Sequence, residues 1–166
     1  HPSFQKQNLD LFQPHRTIYQ LNIQKDIDEL WKGLHPNHRY EINKFNKTEF
    51  EIIYDKHSLI EPFIRLYQQT TDRVNASSTY LFSDNTLHNL NKSDISFMIG
   101  AVMNGKVECV VMFLFKENCA EYFINASSEI GRQATRTLIW EGVKQLKSKG
   151  VTKVNLGGGV SENDPL

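Results

Sequence analysis

ISFMIGAVM at 95–103, then Asn104-Gly105, then KVECVVMFLFK at 106–116, then AEYFINAS at 120–127 is the stretch that decides the fold. Three apolar runs rich in β-branched and aromatic residues are separated by short polar breaks, which predicts strands. Asn-Gly between two such runs is the strongest short hairpin signal, because both residues tolerate positive φ. The three runs therefore read as a β-meander of consecutive antiparallel strands.

Downstream, Ala134, Leu138, Ile139, Val143 and Leu146 share one face of a helix expected over 133–149, with Gly150 ending it. Residues 152–156 then read as a last strand running into Gly157-Gly158-Gly159. Upstream, Arg16 to Leu21 alternates as a short strand, and Ile23, Ile27, Leu30, Trp31 and Leu34 mark a helical face stopped by Pro36. A second helix starts near 37 with Asn37 as its cap, and 49–54 reads as a strand. Ser58 and Glu61 have capping-box spacing for a further amphipathic helix, in which Pro62 fits only in the first turn. Ser83 to Leu90 is a short helix. Strands clustered between helices predict an α+β class, with helices packed on a mainly antiparallel sheet.

The chain of 166 residues can hold one core, with residues 1–15 read as an arm or linker and 16–166 as the domain. Nineteen basic side chains balance nineteen acidic ones, which argues against a dedicated nucleic-acid binder. No apolar run has the length of a membrane span, and 1–15 lacks the apolar stretch of a secretory leader. Cys109 and Cys119 lie in apolar contexts and read as reduced core thiols, which fits a cytoplasmic setting.

No nucleophile elbow, zinc-protease motif or phosphate-binding glycine loop is present. His35 and His38 lack a third ligand at helical spacing, so no metal is expected. Residues 131–153 hold Arg132, Arg136, Lys144, Lys147, Lys149 and Lys153 against Glu141, a local charge of +5. Arg132 and Arg136 fall at a helix N-terminus, where an anionic ligand is favoured. Gly157, Gly158 and Gly159 end a strand, where glycine serves either a backbone–ligand contact or a sharp bend.

Five segments occur in a recognisable order: W-x-x-L-x(4)-R-x-x-I-x-K at 31–44, L-Y-x-x-T-x-x-R at 66–73, A-x-Y-x-x-x-A-S at 120–127, L-I-W-E-G-V-K-x-x-K-x-x-G at 138–150 and N-L-G-G-G from Asn155. Together they resemble the FemAB-like branch of the GNAT superfamily of acyltransferases, over roughly 16–160. The resemblance implies a GNAT-like fold whose sheet splays to hold an acyl donor and an amine or hydroxyl acceptor. It implies that the chain corresponds to the second of two GNAT-like halves, with the first half and a last hairpin outside these residues. The edge left after Leu156 would then be open to pair with another chain.

The activity implied is an acyl- or aminoacyl-transferase acting on a small-molecule, glycan or peptide precursor of the bacterial cell envelope or its polysaccharides. The alternatives are a non-catalytic ligand- or partner-binding module and a small-molecule N-acetyltransferase. Acyl-CoA, acetyl-CoA included, is the expected donor, although 127–136 (SSEIGRQATR) departs from the usual acetyl-CoA loop. Aminoacyl-tRNA is the less favoured donor, since no helical-hairpin insertion is evident and the net charge is zero. The residues assigned are Tyr122 as a proton relay, and Arg39, Lys44 and Arg73 as contacts to an acceptor phosphate or carboxylate. Asn125 and Ser127 would approach the donor, with Arg132, Arg136 and Gly157 to Gly159 as anion and backbone contacts.

Overall fold

A computed structural model describes residues 18–158, which contain six strands in one sheet. In chain order they are β1 (Ile18–Asn22), α1 (Ile27–Gly33), α2 (Pro36–Phe45), β2 (Glu51–Ile53), α3 (Lys56–Arg73), α4 (Asp84–Lys92), β3 (Ser96–Met103), β4 (Lys106–Lys116), β5 (Cys119–Ser127), α5 (Thr135–Ser148) and β6 (Lys153–Gly158). Short 3₁₀ turns at Ser78–Tyr80 and Ile130–Ala134 precede α4 and α5. The expected arm at 1–15 and the final Gly159 lie outside the described residues.

The strand order is β1-β6-β5-β4-β3-β2, all antiparallel except β5 with β6. The meander is present as read. Asn104 and Gly105 have φ of 51° and 71°, the double positive that a type I′ turn demands. The parallel β5–β6 pair follows from the α5 crossover between them.

Each sheet face has its own core. Leu30, Ile42, Phe45, Phe113, Leu138, Trp140, Val143 and Leu146 fill the face under α1, α2 and α5. Leu59, Phe63, Leu66, Tyr67, Leu87, Met98, Val110 and Met112 fill the face under α3 and α4. Trp31 meets Trp140 at 5.4 Å between ring centroids, joining α1 to α5.

Several local expectations are corrected. Ile23 precedes α1 rather than belonging to it, buried beside the start of the fold. α2 begins at Pro36, not after Asn37, because proline's fixed φ suits a first helical position; His35 caps it by accepting from the Asn37 amide. α3 begins at Lys56 under an Asp55 cap, so Ser58 instead donates its hydroxyl to the Asp55 carbonyl. Pro62 consequently sits inside the helix. Its flanking residues Leu59, Ile60, Phe63 and Ile64 are all buried, and that packing sustains the helix through the lost hydrogen bond. The outermost strands of the sheet are β1 and β2, while β6 is paired by β1 to Gly158 and by β5 only as far as Asn155, which leaves its β5 side open from Leu156 on as expected.

The cysteines also divide. Cys109 is fully buried, and burial pushes its thiol up to about 12 against a weak bond from Thr135 at 3.6 Å. Cys119 is exposed at the start of β5, contrary to its reading as a core thiol. A thiol reagent at neutral pH is expected to modify Cys119 rapidly and Cys109 only after unfolding. Mass spectrometry of the native and urea-unfolded chain would show one adduct and then two.

The Asp55 cap carries a pH dependence. The His57 amide donates to its carboxylate at 3.0 Å and holds the carboxyl below its usual 3.8. A depressed folded value means the contribution is present above the unfolded value and fades as pH falls through the folded one. Urea melts of wild type and Asp55→Ala are therefore expected to differ at about pH 6 and to converge as pH falls below the carboxyl's usual 3.8.

Candidate functional site

β5 and β6 share only the pairs Cys119↔Lys153, Ala120↔Val154 and Glu121↔Asn155. Beyond these the two strands part. β5 continues along β4 to Ser127, while β6 continues along β1 to Gly158.

Both strands carry a bulge at the point of parting. On β5 the register passes from Phe113↔Tyr122 to Met112↔Ile124, leaving Phe123 as the extra residue. On β6 it passes from Gln20↔Asn155 to Ile18↔Gly158, leaving an extra residue at 156–157. A bulge bends its strand and increases the local twist, so two adjacent bulges open the sheet. Gly157 has φ of 85° there, and its amide donates to Asn155 Oδ1 at 2.9 Å. The glycine run is thus used at Gly157 to make the bend, while Gly158 pairs with Ile18.

The opened edge of β5 keeps backbone groups without a strand partner. Ser128 donates its amide to Glu108 on β4, so the neighbouring Ser127 amide points away from β4. It is met by Thr70 Oγ1 at 3.3 Å, and the Ser127 carbonyl accepts from Arg73 Nη1 at 3.1 Å. The end of α3 thereby closes the far end of the gap. Arg73 and Ser127 are brought together, as a bond between protein groups.

Two cavities flank the gap, one on each sheet face. The first, about 410 Å³, is lined by Leu21, His38, Ile42, Arg136, Trp140 and Leu156 among others. The second, about 590 Å³, is lined by Tyr67, Val74, Tyr80, Phe82, Phe123 and Asn125 among others. Tyr122 lines both. Its ring packs on Phe113 with centroids 5.9 Å apart. Burial, with the Cys109 thiol as a smaller influence, pushes its phenol well above the usual tyrosine value, so it stays protonated at physiological pH.

The other assigned residues are dispersed. Arg39 donates to the Lys32 and Leu34 carbonyls at 2.8 and 2.5 Å, capping the end of α1. Lys44 lines a smaller recess of about 170 Å³ with Tyr40, Glu41 and Gln133. Most of the +5 stretch is engaged within the fold. Arg136 pairs with Glu41, and Lys144 with Glu141 at 2.5 Å. Lys147 donates to the Ile23 and Gln24 carbonyls, and Lys149 lies over the Phe115 ring. Arg132 remains exposed on the 3₁₀ turn at the end of β5.

The turn itself is not an open amide cradle. The Gly131 amide is bonded by Ser128 Oγ, and Gly131 lies against the Glu108 backbone so closely that a Cβ would collide with the carbonyl oxygen. No group of three His, Cys, Asp or Glu side chains able to hold a metal occurs among the described residues. The residues missed from sequence are the apolar walls, chiefly Tyr67, Tyr80, Phe82, Phe123, Trp140 and Leu156. Nothing in their spacing separates a cavity wall from a core position.

No protein-family description matches the sequence, and no curated protein matches it. Solved structures do match. FemX superposes with a TM-score of 0.73 at 14% identity, covering 93% of this chain and 55% of that one. The C-terminal domain of a putative lysylphosphatidylglycerol synthetase from Agrobacterium fabrum gives 0.57 at 14% identity, covering 86% and 49%. An aminoglycoside acetyltransferase from an uncultured soil metagenomic sample, in complex with sisomicin, gives 0.50 at 17% identity, covering 64% and 75%. The chain thus spans about half the length of the first two. At these identities the likeness is one of fold: the chain has the α+β, GNAT-like architecture, in the arrangement found in FemX.

Proposed function

We propose that this chain is the catalytic domain of an acyl- or aminoacyl-transferase that acylates an amine or hydroxyl of a cell-envelope or polysaccharide precursor. The observation that carries the reading is the gap between β5 and β6, with the protonated Tyr122 at its neck and a cavity on either side. A thioester laid in the gap presents its carbonyl oxygen to the unpaired backbone amides of β5, which stabilise the oxyanion as it forms. The acceptor nitrogen or oxygen attacks the carbonyl carbon. The new C–N or C–O bond forms, the C–S bond breaks, and the thiolate takes a proton from the Tyr122 phenol. The proton lost by the acceptor returns to Tyr122 through water, so the side chain ends unchanged. Arg132, exposed where β5 ends, is the cation for a donor phosphate. The fit to a coenzyme A donor rests on that side chain rather than on an amide loop.

The test is to incubate the whole protein with acyl-CoA thioesters and UDP-linked cell-wall precursors bearing free amines. Acylated precursor and one equivalent of free thiol per turnover are expected by mass spectrometry and thiol assay. Failure of any acyl-CoA to bind, together with no transfer, would remove the reading.

A further inference from the structure

The larger cavity has a chemical character of its own. It is walled by Tyr67, Val74, Tyr80, Phe82, Phe123 and Ile124, and no charged side chain lines it among the described residues. Its aromatic rings form a continuous row: Tyr67 and Phe82 lie 6.4 Å apart between centroids, and Phe82 and Phe123 5.6 Å. Two of the polar side chains in the wall, Tyr67 and Thr71, are engaged within the protein, and Asn75, Ser77 and Asn125 also line it. The Tyr67 hydroxyl donates to the Tyr80 carbonyl and accepts from the Phe82 amide at 3.2 Å. Thr71 Oγ1 donates to the Tyr67 and Gln68 carbonyls of its own helix. What faces the space is nonetheless largely carbon. Val74 and Tyr80 in its wall remain more than half exposed, at 62% and 51%.

The position of the cavity matters as much as its lining. It lies on the α3 face and shares Tyr122, beside which the proposed reaction places the scissile carbonyl, with the cavity on the other face. An acetyl group has one methyl beyond that carbonyl and would leave about 590 Å³ of apolar space to water. An aminoacyl group carries an ammonium, which needs a carboxylate or several carbonyls to replace its hydration. Neither cavity is lined by a carboxylate among the described residues, and Arg136 in the wall of the first is paired with Glu41.

We infer that the group transferred is an uncharged apolar acyl chain longer than acetyl, whose tail passes the gap at Tyr122 and lies among Tyr67, Tyr80, Phe82 and Phe123. This rests on the transferase reading above and names its donor class.

The experiment is calorimetric titration of the whole protein with acetyl-, butanoyl-, hexanoyl- and octanoyl-CoA. Each added methylene that enters the cavity is expected to lower Kd about fourfold, so octanoyl-CoA binds at least about 100-fold tighter than acetyl-CoA. Ala76→Phe, which places a ring in the space, is expected to flatten the series, with circular dichroism melting as the check on folding. Val74→Ser, at the exposed rim, gives a milder change and weakens octanoyl-CoA about threefold or more while disturbing no buried contact.

Equal binding of all four thioesters would overturn the inference and leave the transferase reading standing. So would a chain-length series that persists in a folded Ala76→Phe variant. If tyramine, an apolar acceptor amine, binds and is lost in Ala76→Phe while octanoyl-CoA is unaffected, the cavity belongs to the acceptor and the donor assignment falls. Binding of no thioester at all overturns both readings together.

Discussion

Gly131→Ala is expected to lower folding stability by about 3 kcal/mol, the upper range for overpacking in a close-packed interior. The atom that a new Cβ would strike is the carbonyl oxygen of Glu108, with the Glu108 carbonyl carbon just behind it. Neither can step aside cheaply, because β4 is held by β3 on one side and β5 on the other. The 3₁₀ turn at Ile130–Ala134 must move instead. That movement strains the Ser128 amide's 2.9 Å bond to the same Glu108 carbonyl and shifts the start of α5. Alanine's better helix propensity returns at most about 1 kcal/mol and does not offset the clash. For a domain of this size the loss corresponds to a melting temperature lower by about 6–12 °C. Urea and thermal denaturation of the variant measure it directly, and a wild-type-like midpoint would contradict the close approach.

Tyr122→Phe is expected to cut the rate of acyl transfer about 100-fold or more while leaving stability nearly unchanged, if the phenol supplies the leaving-group proton. The ring is retained, so its packing against Phe113 at 5.9 Å is kept. Only the hydroxyl is removed, from a side chain lining both cavities. The loss should appear in kcat rather than KM, because the proton moves only as the C–S bond breaks. The pH profile gives a second readout. Burial raises this phenol above its usual 10.0, so the wild-type rate should show no tyrosine-type loss at or below about pH 10. A variant that retains full kcat would remove Tyr122 from the chemistry and leave it as packing.

How far the sequence carries the structure depends on how local the determining interaction is. The meander is legible because Asn104-Gly105 specifies the hairpin by itself. The order of helices and strands follows from periodicity. Helix starts at Asn37 and Ser58 are misplaced by one or more residues because proline at a first position and an aspartate cap compete with equally plausible neighbours. The gap is less accessible, since it arises from two bulges on strands far apart in the chain, at Phe123 and near Gly157. The basic residues fare worst. Arg39 and Lys147 find backbone carbonyls, and Arg136 finds Glu41, which lies 95 positions earlier. Charge clustering along the chain carries no information about such partners. Tyr122, Asn125 and Ser127 lie along the edge of the gap because they sit on the last strand of the meander, which is a local inference.

Interior strands of a sheet ordinarily hold the amides that surrender their protons to solvent last. β5 lies inside the sheet between β4 and β6, yet its upper half breaks that pattern. Deuterium uptake along it is expected to alternate: amides turned towards β4 stay protected, while those turned into the gap between Tyr122 and Asn125 exchange quickly. Protection returns at Ser127, where Thr70 takes the place of a strand. The fast sites would slow again once a donor carbonyl fills the gap, so the isotope pattern of one central strand doubles as a gauge of occupancy.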